Sequence, residues 1–236
     1  GYVYIRTVSA PVTVVVPELQ TELIAGAKAN RVAGSLGAVE TARLIFFDIP
    51  DVTLQTGPAA DQITVGAAGL TAFGLQNFTI DTGGGADQLT LQSDILKPPA
   101  VGTFVPTADL GNAPDGSSLP AGISYVELTG AFTYQGGGDS DKLIATFDTD
   151  WTLDSASLVA GNGDEIALTG VDKVELNGGA GVNRLTLLAW NGTARLDGGG
   201  DSDQFEIHFD AFDQTTVADT AGALDSLTIL GTPNDD

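Results

Sequence analysis

The sequence predicts an all-β chain wound as a parallel β-solenoid, a β-roll or β-helix with turns of about 21 residues. Three observations predict it: a gap-free internal repeat, a near-constant spacing of Gly/Asp turns, and alternating strands after each turn. Gly74 to Leu91 aligns without gaps on Gly170 to Leu187, 96 residues later, and a third copy, Gly122-Ile-Ser-Tyr-Val-Glu-Leu-Thr-Gly130, lies midway. Gly136-Gly-Gly-Asp-Ser-Asp141 recurs as Gly198-Gly-Gly-Asp-Ser-Asp203. The turn-ending residues Asp141, Asp164, Asn183, Asp203 and Asp225 are 23, 19, 20 and 22 residues apart, a mean of 21. Self-similarity at such a period is the signature of stacked repeats.

Each turn is followed by a run of period two, as in Lys142-Leu-Ile-Ala-Thr-Phe147, Arg184-Leu-Thr-Leu187 and Gln204-Phe-Glu-Ile-His-Phe209. Alternation bounded by Gly, Asn and Asp reads as short strands joined by tight turns. A second run half a period later, such as Val174-Glu-Leu176, gives two strands per turn and about ten turns in all. The chain is expected to be one domain. Residues 1–56 hold degenerate turns, with a weak copy at Gly26 to Val32, and the Ala/Gly-rich stretch from Thr21 to Thr41 is read as strand because Gly26, Asn30, Gly34 and Gly37 interrupt a helix. Residues 93–121 hold five of the ten prolines, lack alternation and form a loop insertion. Residues 122–236 hold the best-formed repeats. Both ends read as continuing into more of the same fold.

Composition narrows the function. Lys and Arg number 9 against 31 Asp and Glu, a net charge of −22. Such a chain repels nucleic-acid phosphates and anionic membranes. Cysteine is absent, which removes disulfides, thiolate nucleophiles and zinc–sulfur sites. No apolar run is long enough for a transmembrane helix. Charged residues make up only 17% of the chain, so this is not a disordered acidic tail.

The turns carry the candidate chemistry. Gly178-Gly-Ala-Gly-Val-Asn-Arg-Leu-Thr186 fits the G-G-x-G-x-D-x-U-x nonapeptide with Asn183 in place of Asp. The turns at 136–144 and 198–206 fit except that Asp139 and Asp201 replace the third glycine, and Thr82 to Thr90, which carries Asp87, fits except at its first position. These turns resemble the calcium-binding repeats of RTX-type secreted proteins and the Gly/Asp-rich repeats of large bacterial surface and adhesin-like proteins. The resemblance implies an exported β-roll or β-helix with calcium between turns. Physics points the same way: carboxylates stacked ~4.8 Å apart repel by ~1 kcal/mol in water and ~3–4 at an effective dielectric of 20. A hard cation with oxygen ligands relieves that repulsion. The candidate ligands are Asp87, Asp139, Asp141, Asp164, Asn183, Asp201, Asp203 and Asp225, with Ca2+ as the ion. The competing reading is that these side chains cap their own turns by accepting backbone N–H bonds.

Catalytic signals are weak. The one histidine, His208, points to solvent by alternation from Phe205, and carboxylate pairs are too abundant to single one out. Arg195 lies on an outer face between Ala194 and Leu196. Tyr134, Trp151 and Trp190 are candidate carbohydrate-stacking rings, with core or edge packing as the plainer role for Trp190. The expectation is a non-enzymatic structural or adhesive module of a secreted or cell-surface protein from a bacterium or archaeon. Its partners would be further copies of itself, stacked end to end, or neighbouring surface domains. A polysaccharide-acting enzyme or carbohydrate-binding module is the alternative.

Overall fold

The computed structural model describes residues 2–6, 12–16, 30–36, 39–40, 44–46, 49–72, 75–96, 103–106, 123–126, 130–208, 214–222 and 225–231, and all regular structure among them is strand. The chain alternates between two large sheets. Strand β1 (Tyr2–Arg6) lies in the first and β2 (Val12–Val16) in the second, while β3 (Asn30–Leu36), β4 (Val39–Glu40) and β5 (Leu44–Phe46) extend the second sheet antiparallel beyond β2. Then β6 (Asp51–Gln55) and β8 (Asn77–Asp81) enter the first sheet, and β7 (Gln62–Val65) and β9 (Gln88–Leu91) the second. Strands β10 (Thr103–Pro106) and β11 (Ile123–Val126) form a separate antiparallel pair. Alternation resumes with β12 (Ala131–Gln135) and β13 (Lys142–Thr146).

Next comes an antiparallel meander in the first sheet, β14 (Trp151–Leu153), β15 (Ser157–Ala160) and β16 (Glu165–Thr169). The remaining strands alternate again: β17 (Lys173–Gly179), β18 (Arg184–Leu187), β19 (Thr193–Gly199), β20 (Gln204–His208), β21 (Gln214–Ala218) and β22 (Ser226–Leu230). Parallel neighbours advance by matching offsets in the two sheets. From β1 and β2 to β6 and β7 the offset is 49 in both. It is then 26 in both, 54 in both, and 20 in both between β18 and β20 and between β17 and β19. Long parallel sheets with this matched advance are compatible with a β-solenoid.

The sequence reading needs three corrections. Turns of about 21 residues occur only toward the C-terminal end, where offsets are 20, 21 and 22. The second sheet holds seven mutually parallel strands, not ten turns' worth. Between β9 and β13 the advance is 28 residues longer than in the preceding turn, and the Pro-rich segment fills that excess. The third repeat copy, around Ile123–Val126, belongs to the separate pair there. Residues 97–102 and 107–122 lie outside the described residues, as do 17–29.

The weak copy at 26–32 feeds an antiparallel strand, because the two residues between β3 and β4 are too few for a crossover. Asp164 closes the β15–β16 hairpin: Gly163 N–H donates to Ala160 C=O and Ala160 N–H to Asp164 C=O, both at 2.8 Å. In the first sheet three strands therefore separate β12 from β18, where the second sheet places one, β17, between β13 and β19.

Alternation builds the core. Val52, Phe78, Phe132 and Ile166 form one inward row of the first sheet, and Trp151, Leu185 and Phe205 continue in the strands beyond the meander. Facing them, Ile63, Leu89, Leu143, Val174 and Ala194 line the second sheet. All of these are buried. The rings of Phe78 and Phe132 stand 5.5 Å apart. Burying such side chains drives the stacking. Tyr134 and Trp151 are fully buried and Trp190 nearly so, so none of the three offers a stacking face to a sugar.

Candidate functional site

Six-residue Gly/Asp corners connect the sheets on both sides. Residues 56–61, 82–87 and 136–141 lead from first sheet to second, and 178–183 and 198–203 lead back. Each ends in Asp or Asn at the start of the next strand, and these end residues stack into two columns. On one side Asp61 N–H donates to Asp87 Oδ1 at 2.7 Å, Asp87 N–H to Asp141 Oδ1 at 2.9 Å, and Asp141 N–H to Asp172 Oδ2 at 3.1 Å. On the other, Asn183 N–H donates to Asp203 Oδ1 and Asp203 N–H to Asp225 Oδ1, both at 2.8 Å. Each carboxylate thus takes the backbone N–H of the turn before it. The capping is between turns rather than within one, and it ties neighbouring turns together.

The motif glycines answer to these side chains. A Cβ on Gly136 would stand 2.8 Å from Asp141 Oδ2, and one on Gly198 would stand 2.2 Å from Asp203 Oδ2. Asp139 and Asp201 adopt φ of 73° and 68°, the left-handed conformation that the replaced glycine would take. Both are exposed, and Asp139 Oδ2 accepts Gly85 N–H. Asn183 turns its Oδ1 onto Gly179 N–H and its Nδ2 onto Asp148 Oδ1. Asp164 lies outside both columns. Its carboxylate accepts Leu96 N–H at 3.0 Å and so anchors the start of the Pro-rich segment.

Three column residues are buried with one carboxylate oxygen lacking a hydrogen-bond partner: Asp87, Asp141 and Asp203, each at its Oδ2. Burial pushes the Asp87 carboxyl up to about 6, against the opposing N–H of Asp61. Burial raises Asp141 as well, helped by the charges of Asp172 and Asp139. In the second column burial raises Asp203, and the charges of Asp225, Asp201 and Asp148 add to it.

Asp203, Asp219 and Asp225 form a group: one carboxylate oxygen from each lies within 4.8 Å of the others. Oxygens so placed can all reach one ion at ~2.4 Å, the calcium–oxygen distance. Asp225 is held below the usual carboxylate range by Asp203 N–H, while Asp219 is raised by sharing a hydrogen bond with the Asp225 carboxylate. Of the predicted ligands, the structure gathers Asp203 and Asp225 here and adds Asp219. Asp87 and Asp141 stack with Asp61 and Asp172 in the opposite column, and Asn183, Asp139, Asp164 and Asp201 join no three-carboxylate group among the described residues. Sequence reasoning missed Asp61, although Ala60-Asp-Gln62 repeats Ala86-Asp-Gln88. Asp148, Asp172 and Asp219 carried no such signal, because they reach the columns from outside the motif.

His208 and Arg184 both bind Glu206 on the outer face of the first sheet, His208 Nε2 at 2.7 Å from Oε1. Arg195 pairs with Asp197 at 2.8 Å on the outer face of the second.

The buried column has a pH consequence. Asp87 and Asp141 bind protons more readily folded than unfolded, so their contribution to stability grows as pH falls from about 7 through 6. Carboxyls held low, such as Asp197 and Glu206, reverse the trend only near and below about pH 4. The unfolding midpoint is expected to be higher at about pH 5.5 than at about pH 7.5. Asp87→Asn is expected to flatten that slope and to gain about 1–2 kcal/mol at the higher pH, after allowance for solvent screening. Thermal unfolding of both proteins at the two pH values checks it.

No family model, curated protein or solved structure matches the chain. Among the described residues no helix is long and apolar enough to cross a membrane.

Proposed function

We propose that the chain is a structural module: a β-solenoid segment of a secreted or cell-surface protein, with an adhesive or scaffolding role and a Ca2+ ion held at Asp203, Asp219 and Asp225. The observation that carries the structural part is the matched advance of the two sheets, 49, 26, 54 and 20 residues in each, which a chain coiling through both would produce. Stacked turns of this kind make a stiff surface rather than a cleft. The unpartnered, buried Oδ2 of Asp203 supports the ion, because an orphaned buried carboxylate oxygen is costly until a proton or cation meets it. The Gly/Asp corners and their resemblance to exported calcium-binding repeats support the extracellular setting, where calcium is plentiful.

Thermal unfolding followed by circular dichroism, first in EDTA and then with millimolar Ca2+ or Mg2+, tests the reading. An ion at 100 times its Kd stabilises by about 2.7 kcal/mol. The midpoint is expected to rise by roughly 5–10 °C in Ca2+ and less in Mg2+. An unchanged midpoint in Ca2+ overturns it.

A further inference from the structure

The two ends of the strand stack differ in a way that fits one to the other. At the C-terminal end, Leu227 and Ile229 are in register with the buried Phe205 and Ile207, yet they are 52% and 54% exposed. They belong to the core row, and among the described residues nothing covers them. The outer edge of β22 has no neighbouring strand there either. At the other end of the same sheet, β1 also has one open edge among the described residues. Val3 and Ile5 of β1 stand at the register positions of Val52 and Leu54, again the core row. Every step from β1 to β12 and from β18 to β22 is parallel, and the two antiparallel steps of the meander restore the direction, so β1 and β22 run the same way.

Shape and charge agree with a join. At the β1 end the second sheet projects beyond the first by β3 and β4, whereas at the other end the first sheet projects with β22. Residues 1–46, through β5, carry four Lys/Arg against three Asp/Glu. Residues 200–236, beyond β19, carry nine Asp/Glu and no Lys or Arg. A weakly basic recessed edge thus meets a strongly acidic projecting one. Like ends would bring two acidic edges together, which disfavours a twofold contact.

We infer that the partner of the β22 edge is a second copy of this chain, with its β1 added in parallel so that Val3 and Ile5 continue the rows of Leu227 and Ile229. Such a contact is heterologous and does not close, so it extends into a row of copies. Backbone pairing supplies the contact's direction and the buried apolar rows its strength. Head-to-tail stacking presupposes the coiled reading above but not the calcium site.

Sedimentation of the 236-residue chain over a range of concentrations, in EDTA and in Ca2+, tests it. The average mass is expected to climb beyond that of a pair of chains, and the double variant L227E/I229E is expected to stay at the mass of one, with association at least tenfold weaker. Because the chain has no cysteine, single introduced thiols report the register. Parallel neighbours lie within disulfide reach, and the shared rows set Tyr4 of one copy beside Thr228 of the next. A mixture of Y4C and T228C should cross-link on oxidation, and neither variant alone should. A wild-type mass fixed at one chain up to millimolar concentration overturns the inference, as does T228C cross-linking to itself. A calcium-dependent midpoint without growth of mass removes the stacking and leaves the structural-module reading standing. Growth of mass without that midpoint shift does the reverse.

Discussion

Gly137→Ala is expected to destabilise the chain by roughly 3–5 kcal/mol, far more than an ordinary surface substitution. Gly137 adopts a φ of 95°, where alanine is strained by about 1 kcal/mol. Steric overlap costs more than that strain. The added Cβ would stand 1.9 Å from the carbonyl oxygen of Gly83, in the corner of the turn before. That oxygen cannot retreat, because it accepts Gly138 N–H at 3.1 Å and so joins the two turns. Gly138 is the control: a Cβ there meets nothing within 4 Å, and Gly138→Ala is expected to stay within about 1 kcal/mol. Urea unfolding of the two variants beside the parent separates a packing requirement at one glycine from a general liking of corners for glycine.

Trp151→Ala is expected to cost about 3–5 kcal/mol, a fall of roughly 6–20 °C in the midpoint. Trp151 is fully buried in β14, between the antiparallel β15 and the parallel β18, opposite Ala160 and Leu185. A small partner at 160 makes room for the indole, and removal would leave a cavity that the surrounding strands cannot collapse into. The indole Nε1–H has no hydrogen-bond partner. Trp151→Phe therefore removes an unsatisfied donor while keeping most of the ring, and should cost less than half as much as the alanine change. Thermal unfolding of both variants checks the ordering.

The meander around Trp151 also shows where sequence reading runs out. Gly161-Asn-Gly-Asp164 followed by Glu165-Ile-Ala-Leu168 has the same composition and alternation as a true corner and its strand. What separates them is the destination of the backbone bonds. In the hairpin they close on residues 160–164 themselves, while in a corner they reach the next turn, as Gly200 N–H reaches Gly179 C=O. Local pattern carries no trace of that choice. The offset of 96 misleads for a related reason. It lays Asn77–Asp81 of the first sheet on Lys173–Leu176 of the second, and Gln88–Leu91 of the second on Arg184–Leu187 of the first. Both sides of the stack use the same corner chemistry, so a half-turn match reads as a whole one.

Strand content, inward rows and the glycine requirement were legible, because alternation and left-handed turns are local properties. The carboxylate columns were half legible. Asp87, Asp141, Asn183, Asp203 and Asp225 announce themselves as turn-ending residues. Their grouping depends on which sheet each corner leaves, and Asp219 joins Asp203 and Asp225 only through the stacking of β21 and β22 on the turns before them.

Isothermal titration of Ca2+ into the parent chain, Asp219→Asn and Asp87→Asn tests the acidic-corner account most directly. All three proteins remain strongly acidic, so diffuse attraction is nearly the same in each. The predicted result is one saturable site in the parent and in Asp87→Asn, weakened at least tenfold in Asp219→Asn. Equal binding by all three, or loss in Asp87→Asn with retention in Asp219→Asn, would contradict it.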